Sequence, residues 1–196
     1  MTFEKGTEIT FRIIDNNDIS PEFDQKIRDG LVECFPKDTA HYSQNRVWHY
    51  STPAWVILAL TKDEEIAAHI AIVERTVTAG KSCAAGESGE NVIIAGPGGV
   101  FVRKKWQKTG LSDRIMQRVL EESRRRGYDA GLLFCKEVLA GKVYGRMGWQ
   151  KVDGTTFMND ADDKRIPRPD KDITMTIPIS LDSFPAGDID LNGPDW

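Results

Sequence analysis

Apolar and polar residues alternate along this chain with two different periods, which predict a mixture of strands and helices. Residues 7–15 alternate as in a half-buried strand. In residues 20–35, Ser20 precedes Pro21 and apolar residues recur at helical spacing, so we predict a helix with Ser20 as its N-cap. Residues 53–80 hold two apolar runs on either side of the polar sequence TKDEE, which predicts two strands joined by a turn.

The second half of the chain predicts a strand–helix–strand–helix centre. Residues 89–102 are typical of a strand interrupted at residues 96–99. Beyond Gly110, apolar residues mark one face of a helix that ends in RRRG. DAGLLFC predicts a buried strand, KEVLAGKVYGRMGW a second helix that closes on Gly148, and ITMTIPIS a late strand. This order indicates a mixed α/β domain over residues 1–181, followed by an acidic tail over residues 182–196.

Composition and charge narrow the function classes. No apolar run approaches the ~18 residues of a membrane span, and the N-terminus lacks the apolar core of a secretion signal, so we expect a cytoplasmic protein without membrane contact. Cys34, Cys83 and Cys135 lie far apart with no histidine in ligand spacing, so we expect neither a metal site nor disulfides. The net charge of −4 argues against nucleic-acid binding and favours a cationic small partner.

The turn between the predicted strand at residues 100–102 and the following helix carries the first candidate chemistry. A helix start after a strand directs unpaired N–H groups and partial positive charge at one point, which suits a phosphate. In QKTGLS, Gly110 permits close backbone approach, while Gln107, Lys108 and Ser112 add donors. From this turn alone, a solvated basic loop is the alternative. The phosphate-binding patterns GxxxxGK[ST] and GxGxxG are missing, so the turn indicates a phosphate-bearing cofactor of another kind.

Two motifs together resemble one superfamily. QKTGLS is similar to the [QR]xxGx[GA] loop of the GNAT coenzyme A-dependent acyltransferases, with Ser112 in place of the last small residue. AGKVYGRMGW is similar to their AxxxYxxxGF motif. The resemblance covers residues 91–153 and implies acetyl-CoA as acyl donor. It also implies a GNAT α/β (α+β) fold, with a central, mostly antiparallel mixed sheet flanked by helices and split between the fourth and fifth strands. A homodimer is an expectation at the family level.

The resemblance also implies roles for residues. Backbone groups of Val100, Phe101 and Val102 are expected beside the pantetheine, with the N–H of Val100 or Phe101 polarising the thioester carbonyl. Tyr144 is expected to protonate the leaving thiolate; a packed core aromatic is the alternative. The pyrophosphate would be cradled by Gln107, Lys108, Thr109, Gly110, Leu111 and Ser112.

An amine nucleophile must also lose a proton, and the base is harder to identify. Glu74, His69 and Glu137 are candidates, with Glu74 preferred. Glu74 could instead form an ion pair at a strand end, and His69 could be a strand histidine with its hydrogen bonds satisfied. Cys135 could be a nucleophile, but direct transfer to the acceptor needs no acyl-enzyme.

A fainter resemblance concerns the acceptor. The segment EIAAHIAIVERTVTAG, the late TMTIPISLDS and the final DW are similar to the aminoglycoside 2′-N-acetyltransferases. This likeness implies that Asp38, Cys135, Asp195 and Trp196 face the acceptor. The acidic tail would attract a polyamine sugar; a solvated tail is the alternative.

That likeness has a departure, because Gly98 stands where the aminoglycoside enzymes carry a glutamate thought to act on the amine. The centre of the chain also resembles the nodulation acyltransferases, which keeps a longer acyl donor open. Residues 42–55, with Arg46 and His49 among aromatics, predict either an acceptor wall or a hydrophobic patch against the first helix or a dimer partner.

The sequence therefore predicts an acetyl-CoA-dependent N-acetyltransferase that acts on a primary amine of a small, cationic acceptor. A non-catalytic acyl-CoA sensor domain is one alternative, and a protein-lysine or longer-chain N-acyltransferase is another.

Overall fold

The computed structural model describes residues 8–48, 51–80, 89–169 and 171–196. Cys83, His49 and Tyr50 lie outside the described residues. The chain divides into two compact units, which are described separately. The first unit comprises Met1–Trp48, Pro53–Ile72 and Gly98–Val119, and the second comprises His49–Thr52, Val73–Pro97 and Leu120–Trp196.

The strands and helices follow one another in the predicted order. The strands are β1 (Thr10–Asp15), β2 (Trp55–Leu60), β3 (Ile66–Gly80), β4 (Glu90–Val102), β5 (Ala130–Cys135), β6 (Gln150–Lys151), β7 (Thr156–Asn159), β8 (Arg165–Pro167), β9 (Ile173–Pro178) and β10 (Asp188–Asp190). The helices are α1 (Pro21–Cys34), α2 (Thr39–Tyr42), α3 (Leu111–Arg126) and α4 (Glu137–Leu139).

In the first unit, α1 covers an antiparallel arrangement of strands. β1 pairs with β2, and β2 pairs with β3 around the predicted polar turn. The side chain of Ser20 accepts a hydrogen bond from the N–H of Phe23 at 3.2 Å, which confirms the predicted N-cap. Ile27 and Leu31 of α1 are fully buried and belong to one apolar cluster with residues of β2 and with Phe101.

Gly30 allows β4 to approach α1 closely. A Cβ atom on Gly30 would lie 2.2 Å from Cζ of Phe101, a distance that side chains do not reach. The Phe101 ring therefore occupies the volume that any other residue at position 30 would need. This contact fixes the part of β4 that carries the predicted cofactor-binding residues.

In the second unit, most strand pairs are antiparallel. β5 pairs with β9, β6 with β9, β7 with β8 and β10 with β3, all antiparallel, whereas β10 pairs with β7 in parallel. β4 and β5 are parallel and pair at Ile94 with Ala130 and at Ala95 with Gly131, and both strands extend beyond these pairs. This pattern agrees with the predicted separation of the fourth and fifth strands.

Two predicted elements differ in the structure. The predicted interruption at residues 96–99 is wrong, because β4 continues to Val102 and accommodates Gly99 in a left-handed conformation with φ of 55°. The predicted second helix is not uniform. α4 passes into a π-helical segment, Ala140–Tyr144, and then into a 3-10 turn, Gly145–Met147, before closing at Gly148.

The tail, residues 182–196, contributes to the core of the second unit. Ile189 of β10 and Leu191 are fully buried in the cluster that also contains residues of β3, β4 and β5. The division into a domain and a tail stays a prediction. No helix among the described residues is long and apolar enough to cross a membrane.

The Gly30–Phe101 contact gives a testable prediction. Gly30→Ala should lower the free energy of unfolding by about 1–3 kcal/mol, because the added methyl group overpacks the site by more than helix propensity compensates. Urea unfolding would measure the change. Gly141→Ala is the matched control, since its Cβ would meet nothing within 4 Å. Equal stabilities of the two variants would contradict the proposed packing role.

Candidate functional site

The loop that precedes α3 has the backbone of an anion site. Lys108 and Gly110 adopt left-handed conformations, with φ of 63° and 79°. Left-handed residues in a turn gather neighbouring N–H groups into a concave surface that suits anions. α3 begins directly afterwards at Leu111, and its first unpaired N–H groups add to the same positive end.

Two side chains of this loop are engaged within it. The amide of Gln107 donates to the carbonyl of Val102 at 3.0 Å, and the hydroxyl of Thr109 donates to the carbonyl of Trp106 at 2.6 Å. The hydroxyl of Ser112 donates to the carboxylate of Asp113 at 3.3 Å. The loop thus offers its backbone and Lys108 to a ligand, while Gln107 and Thr109 hold its shape.

The end of β4, residues 100–102, lies against the core of the first unit on one side. Phe101 is only 3 % exposed, so its side chain belongs to the core and only its backbone can face a ligand. Val100 and Val102 are half-buried. The carbonyl of Val102 also accepts from the thiol of Cys34, at 3.7 Å between sulfur and oxygen.

His69 of β3 lies beside this part of β4. It is 1 % exposed, its Nδ1 is 2.9 Å from the carbonyl oxygen of Gly99, and its ring stacks on that of Phe101 at 5.3 Å. Burial lowers the pKa of His69 to about 4, so the ring is neutral near pH 7. Nε2 is buried and has no hydrogen-bond partner among the residues that the structure describes. His69 is thus satisfied on one nitrogen only.

Asp38 lies in a 3-10 turn next to an aromatic cluster of the first unit. Tyr42 and Trp48 pack against the core cluster that contains α1, which agrees with the hydrophobic-patch alternative for this part of residues 42–55. Burial, with the Asp38 charge as a second cause, raises the pKa of Tyr42 to about 12. Asp38 is itself half-buried.

Tyr144 ends the π-helical segment of the second unit and is 9 % exposed. Its carbonyl accepts from the N–H of Trp149 at 3.2 Å, and the two rings meet edge to face at 6.1 Å. Burial, with a smaller effect of nearby Cys135, raises the pKa of Tyr144 to about 12. The phenol is therefore a weaker acid than its ordinary pKa of ~10 implies, and it stays protonated over the whole physiological range.

Cys135, the last residue of β5, is buried, and its thiol lies 3.6 Å from the sulfur of Met175. Burial, followed by the charge of Asp172, raises the pKa of this thiol to about 11. A protonated thiol is a poor nucleophile, which favours the direct-transfer alternative.

Glu74 of β3 is exposed, and one of its carboxylate oxygens accepts the hydroxyl of Tyr128 at 2.6 Å. Tyr128 is almost fully buried, so this bond gives its hydroxyl an acceptor within the protein. The pairing of Glu74 is thus with a tyrosine rather than with an arginine.

Arginines hold the end of the chain in the second unit. The guanidinium of Arg168 lies 3.1 Å from the carboxylate of Asp195, with both side chains largely buried. Arg75 donates to the carbonyl of Pro194 and to the hydroxyl of Ser51. The Asp195 carboxylate, expected to face a cationic acceptor, is thus already neutralised within the protein.

The same is true of other acids in the tail. Asp190 forms an ion pair with Arg165, and Asp188 accepts a hydrogen bond from the N–H of Thr155 at 2.8 Å. The tail therefore offers less free negative charge than its sequence indicates.

The Trp196 ring packs over β4. A Cβ atom on Gly96 would lie 2.5 Å from Cζ2 of Trp196, so the ring sits directly on the glycine. Phe134 contacts the ring at 4.9 Å, and the Arg75 guanidinium lies 5.4 Å from its centroid. The indole Nε1 is buried, and no described residue forms a hydrogen bond with it.

A polar cleft of about 830 Å³ opens in the second unit. It is lined by Glu137 at the start of α4 and by residues 151–156, 167–169 and 172–174. Arg168 in this cleft forms an ion pair with Asp195, and its guanidinium lies 3.7 Å from the carboxylate of Asp172. Glu137 and Asp153 are exposed carboxylates of the lining, and Lys151 is an exposed cation.

Some of these residues could not be found from the sequence. Arg168 lies 27 residues before its partner Asp195, and Arg75 lies 119 residues before its partner Pro194. The hydroxyl of Ser51 donates to the carbonyl of Asp195, 144 residues later. None of the three residues that anchor the tail belongs to a motif. No sequence motif includes Tyr128, which lies two residues before β5. His69 was singled out as a candidate, but its contact with Gly99 was not predictable.

Comparisons with known proteins support one family. The chain matches the model of the acetyltransferase (GNAT) domain over residues 19–152. It is similar in structure to a GNAT family N-acetyltransferase (YhbS) from Escherichia coli in complex with CoA, with a TM-score of 0.63, 14 % identity and coverage of 97 % of this chain and 93 % of that one.

Two other solved structures are similar at lower TM-scores. An acyl-CoA N-acyltransferase from Pseudomonas aeruginosa has a TM-score of 0.57 and 16 % identity, covering 86 % of this chain and 99 % of that one. The ribosomal-protein-S18-alanine N-acetyltransferase from Escherichia coli has a TM-score of 0.54 and 14 % identity, covering 89 % and 97 %. No curated protein matches the sequence significantly.

These findings confirm the predicted fold class, the resemblance to the GNAT superfamily and acetyl-CoA as acyl donor. The likenesses to the aminoglycoside and nodulation enzymes stay predictions, as do the roles of individual residues. Since the family model spans more than half of the chain, the protein belongs to the GNAT acetyltransferases and is an acyltransferase that uses acetyl-CoA.

Proposed function

We propose that this N-acetyltransferase moves an acetyl group directly from acetyl-CoA to a primary amine of a small, cationic acceptor. The observation that supports the acceptor class best is the polar cleft of the second unit, whose exposed carboxylates, Glu137 and Asp153, are suited to an ammonium group. The high pKa of the Cys135 thiol supports direct transfer without an acyl-enzyme.

The residues of the first unit fit the acyl donor. The left-handed backbone at Lys108 and Gly110, followed by the start of α3, suits the pyrophosphate. Gln107 and Thr109 would keep this loop in shape through their internal hydrogen bonds. Leu111 and Ser112 would contribute N–H groups of the first helical turn. Lys108 would add charge.

The chain's own groups would act on the reacting atoms as follows. The N–H of Val100 donates to the thioester oxygen and stabilises the negative charge that develops there as the amine nitrogen bonds to the carbonyl carbon. Tyr144 donates its hydroxyl to the sulfur, which leaves with the electron pair of the C–S bond and takes up the phenolic proton; Tyr144 regains a proton from solvent. Glu74 accepts the proton that the amine loses, directly or through water.

The acceptor-side roles of the remaining predicted residues are of two kinds. Trp196 would supply an apolar wall, while Asp195 would act through its bond to Arg168, which keeps that wall in place. Cys135, which is buried, and Asp38, which is half-buried, would contribute to the shape of the acceptor site.

Other functions are outcomes of the tests. Two of them concern the acceptor: an aminoglycoside would support the likeness to the 2′-N-acetyltransferases, and a lysine or N-terminal peptide would indicate a protein acceptor. A longer acyl donor would support the likeness to the nodulation enzymes. Acetyl-CoA binding without any turnover would indicate a sensor domain.

The first test concerns the leaving group. Tyr144→Phe should lower kcat for free-thiol release about 10²-fold, because the sulfur loses its donor, while KM for acetyl-CoA stays the same. Since the pKa of Tyr144 is raised to about 12, wild-type kcat should show no loss from its ionisation between pH 7 and 11. A Tyr144-dependent decline near pH 10 would contradict this environment.

In the same assay, Glu74→Gln should lower kcat about 10²-fold if Glu74 accepts the amine proton. Tyr128→Phe is the control, because it removes the hydrogen bond to Glu74 but leaves the carboxylate. Equal effects of the two variants would mean that Glu74 only supports Tyr128.

The acceptor is tested with a panel of amines that includes aminoglycosides, polyamines, neutral amines and lysine peptides. Glu137→Gln with Asp153→Asn should raise KM for a cationic amine about 10-fold and leave KM for acetyl-CoA unchanged, since two charges near an ammonium are removed. Asp162→Asn, an exposed acid outside the cleft, is the control. A preference for neutral amines in the wild type would overturn the acceptor class.

The anchoring role of Asp195 is tested by stability. Asp195→Asn should lower the free energy of unfolding by about 3 kcal/mol, because the buried guanidinium of Arg168 loses its nearer carboxylate and keeps the more distant one of Asp172. Urea unfolding measures this, and Asp162→Asn should cost less than about 1 kcal/mol. If Asp195→Asn raised the acceptor KM at unchanged stability, the residue would be a substrate ligand instead.

A further inference from the structure

The end of β4 contains a peptide group whose direction is controlled by a side chain. Within the described residues of β4, Gly99 alone has a positive φ, of 55°, which only glycine adopts without strain. Its carbonyl oxygen lies 2.9 Å from Nδ1 of the His69 side chain, within hydrogen-bond distance. His69 is enclosed by Phe101 and by the core of the first unit, so its ring has little freedom to turn.

The proton of His69 must lie on the nitrogen that faces Gly99. A carbonyl oxygen can only accept, so Nδ1 donates and Nε2 of the neutral ring carries the lone pair. Among the described residues Nε2 has no hydrogen-bond partner, which agrees with this tautomer because that nitrogen then has no N–H group to satisfy. Burial lowers the pKa of His69 to about 4 and so keeps the ring neutral at working pH, while the bond to Gly99 sets the tautomer.

A peptide unit transmits this constraint to the next residue. The carbonyl of Gly99 and the N–H of Val100 belong to one planar group, and in a trans peptide they point in opposite directions. Fixing the carbonyl on the His69 ring therefore directs the N–H of Val100 away from that ring.

The rest of β4 leads to the same result independently. The N–H of Arg103 donates to the carbonyl of Ala67 at 2.9 Å, so odd-numbered residues here face β3. The carbonyl of Val102 faces the other edge, where Gln107 and Cys34 donate to it. Because the two edges alternate along a strand, Val100 shares the edge of Val102, and Phe101 faces β3.

We propose that His69 is a positioning residue for acetyl transfer: by holding the Gly99 carbonyl it aims the N–H of Val100 at the thioester oxygen. The inference rests on the proposed function, and it selects Val100 over Phe101 as the donor to that oxygen. It also gives His69 a role other than that of the base, since a nitrogen with so low a pKa takes up protons poorly near pH 7.

The test uses bound acetyl-CoA labelled with ¹³C at the thioester carbonyl, whose infrared stretch falls in frequency when the oxygen accepts a hydrogen bond. Wild type should lower the frequency relative to free acetyl-CoA. His69→Phe keeps a ring against Phe101 but has no donor, so the frequency should return most of the way to the free value. His69→Asn should retain most of the shift, because its amide N–H can occupy the place of Nδ1–H.

The same variants should differ in kcat rather than in binding. His69→Phe should lower kcat about 10- to 100-fold, less than or equal to the loss of a whole oxyanion donor, with KM for acetyl-CoA changed less than about 3-fold. His69→Asn should recover most of the loss. His41→Phe is the matched control, since it removes another bond from a histidine to a backbone carbonyl, that of Val47 at 2.7 Å, and should change neither readout.

The outcomes separate this inference from the proposed function. If acetyl-CoA binds and wild type and His69→Phe show the same carbonyl frequency, the inference is wrong and the acetyltransferase proposal stands. If wild type binds no acetyl-CoA, the proposed function fails first. Should His69→Phe not fold, ¹⁵N spectra of wild-type His69 decide: a proton on Nδ1 from pH 5 to 8 supports the inference, and a proton on Nε2 overturns it.

Discussion

The packing of the Phe101 ring on Gly30 is the contact on which the first unit's site depends. It packs β4 directly against α1 and leaves no room for a side chain at position 30 of the helix. Since the N–H of Arg103 donates to Ala67 of β3, Val100 and Val102 present their backbone groups to the opposite edge of the strand. The core of the unit thus determines which polar groups of β4 remain open to a ligand.

The second unit uses charge mainly to hold itself together. Arg168, with 5 % of its side chain exposed, is balanced by Asp195, and Arg165 is balanced by Asp190. A buried guanidinium is costly to leave unpaired, so these acids are already ion-paired within the protein when no substrate is bound. The negative charge of Asp190 and Asp195 is therefore less available to an acceptor than that of the exposed acids in the cleft lining.

The sequence predicted the features that depend on local pattern. The cap at Ser20, the strand pair around TKDEE, the glycine before α3 and the position of Tyr144 all follow from short-range periodicity or from motif spacing. The sequence did not predict the hydrogen bond from the Gln107 amide to the Val102 carbonyl, since that side chain could equally have pointed to solvent. Nor could it predict the Arg168–Asp195 pair or the His69–Gly99 bond, because both join residues that meet only through tertiary folding.

The continuation of β4 through residues 96–99 also depends on tertiary contacts. Gly and Pro at residues 96–99 weaken a strand by local propensity, but the Trp196 ring packed on Gly96 and the His69 bond to the Gly99 carbonyl hold these residues in place. The acidity of Tyr144 is a tertiary property too, because burial rather than sequence raises its pKa.

The π-helical segment has a consequence for how the chain tolerates insertions and deletions. Between Ala140 and Tyr144 the helix is wound more widely than an α-helix, since the N–H of Gly145 donates to the carbonyl of Ala140, five residues earlier instead of four. Removing a single residue there would let the segment relax into a regular α-helix and rotate the phenol by about 100° around the helix axis. The direction of the Tyr144 hydroxyl therefore depends on the number of residues in the π-helical segment, which substitutions at neighbouring positions do not change.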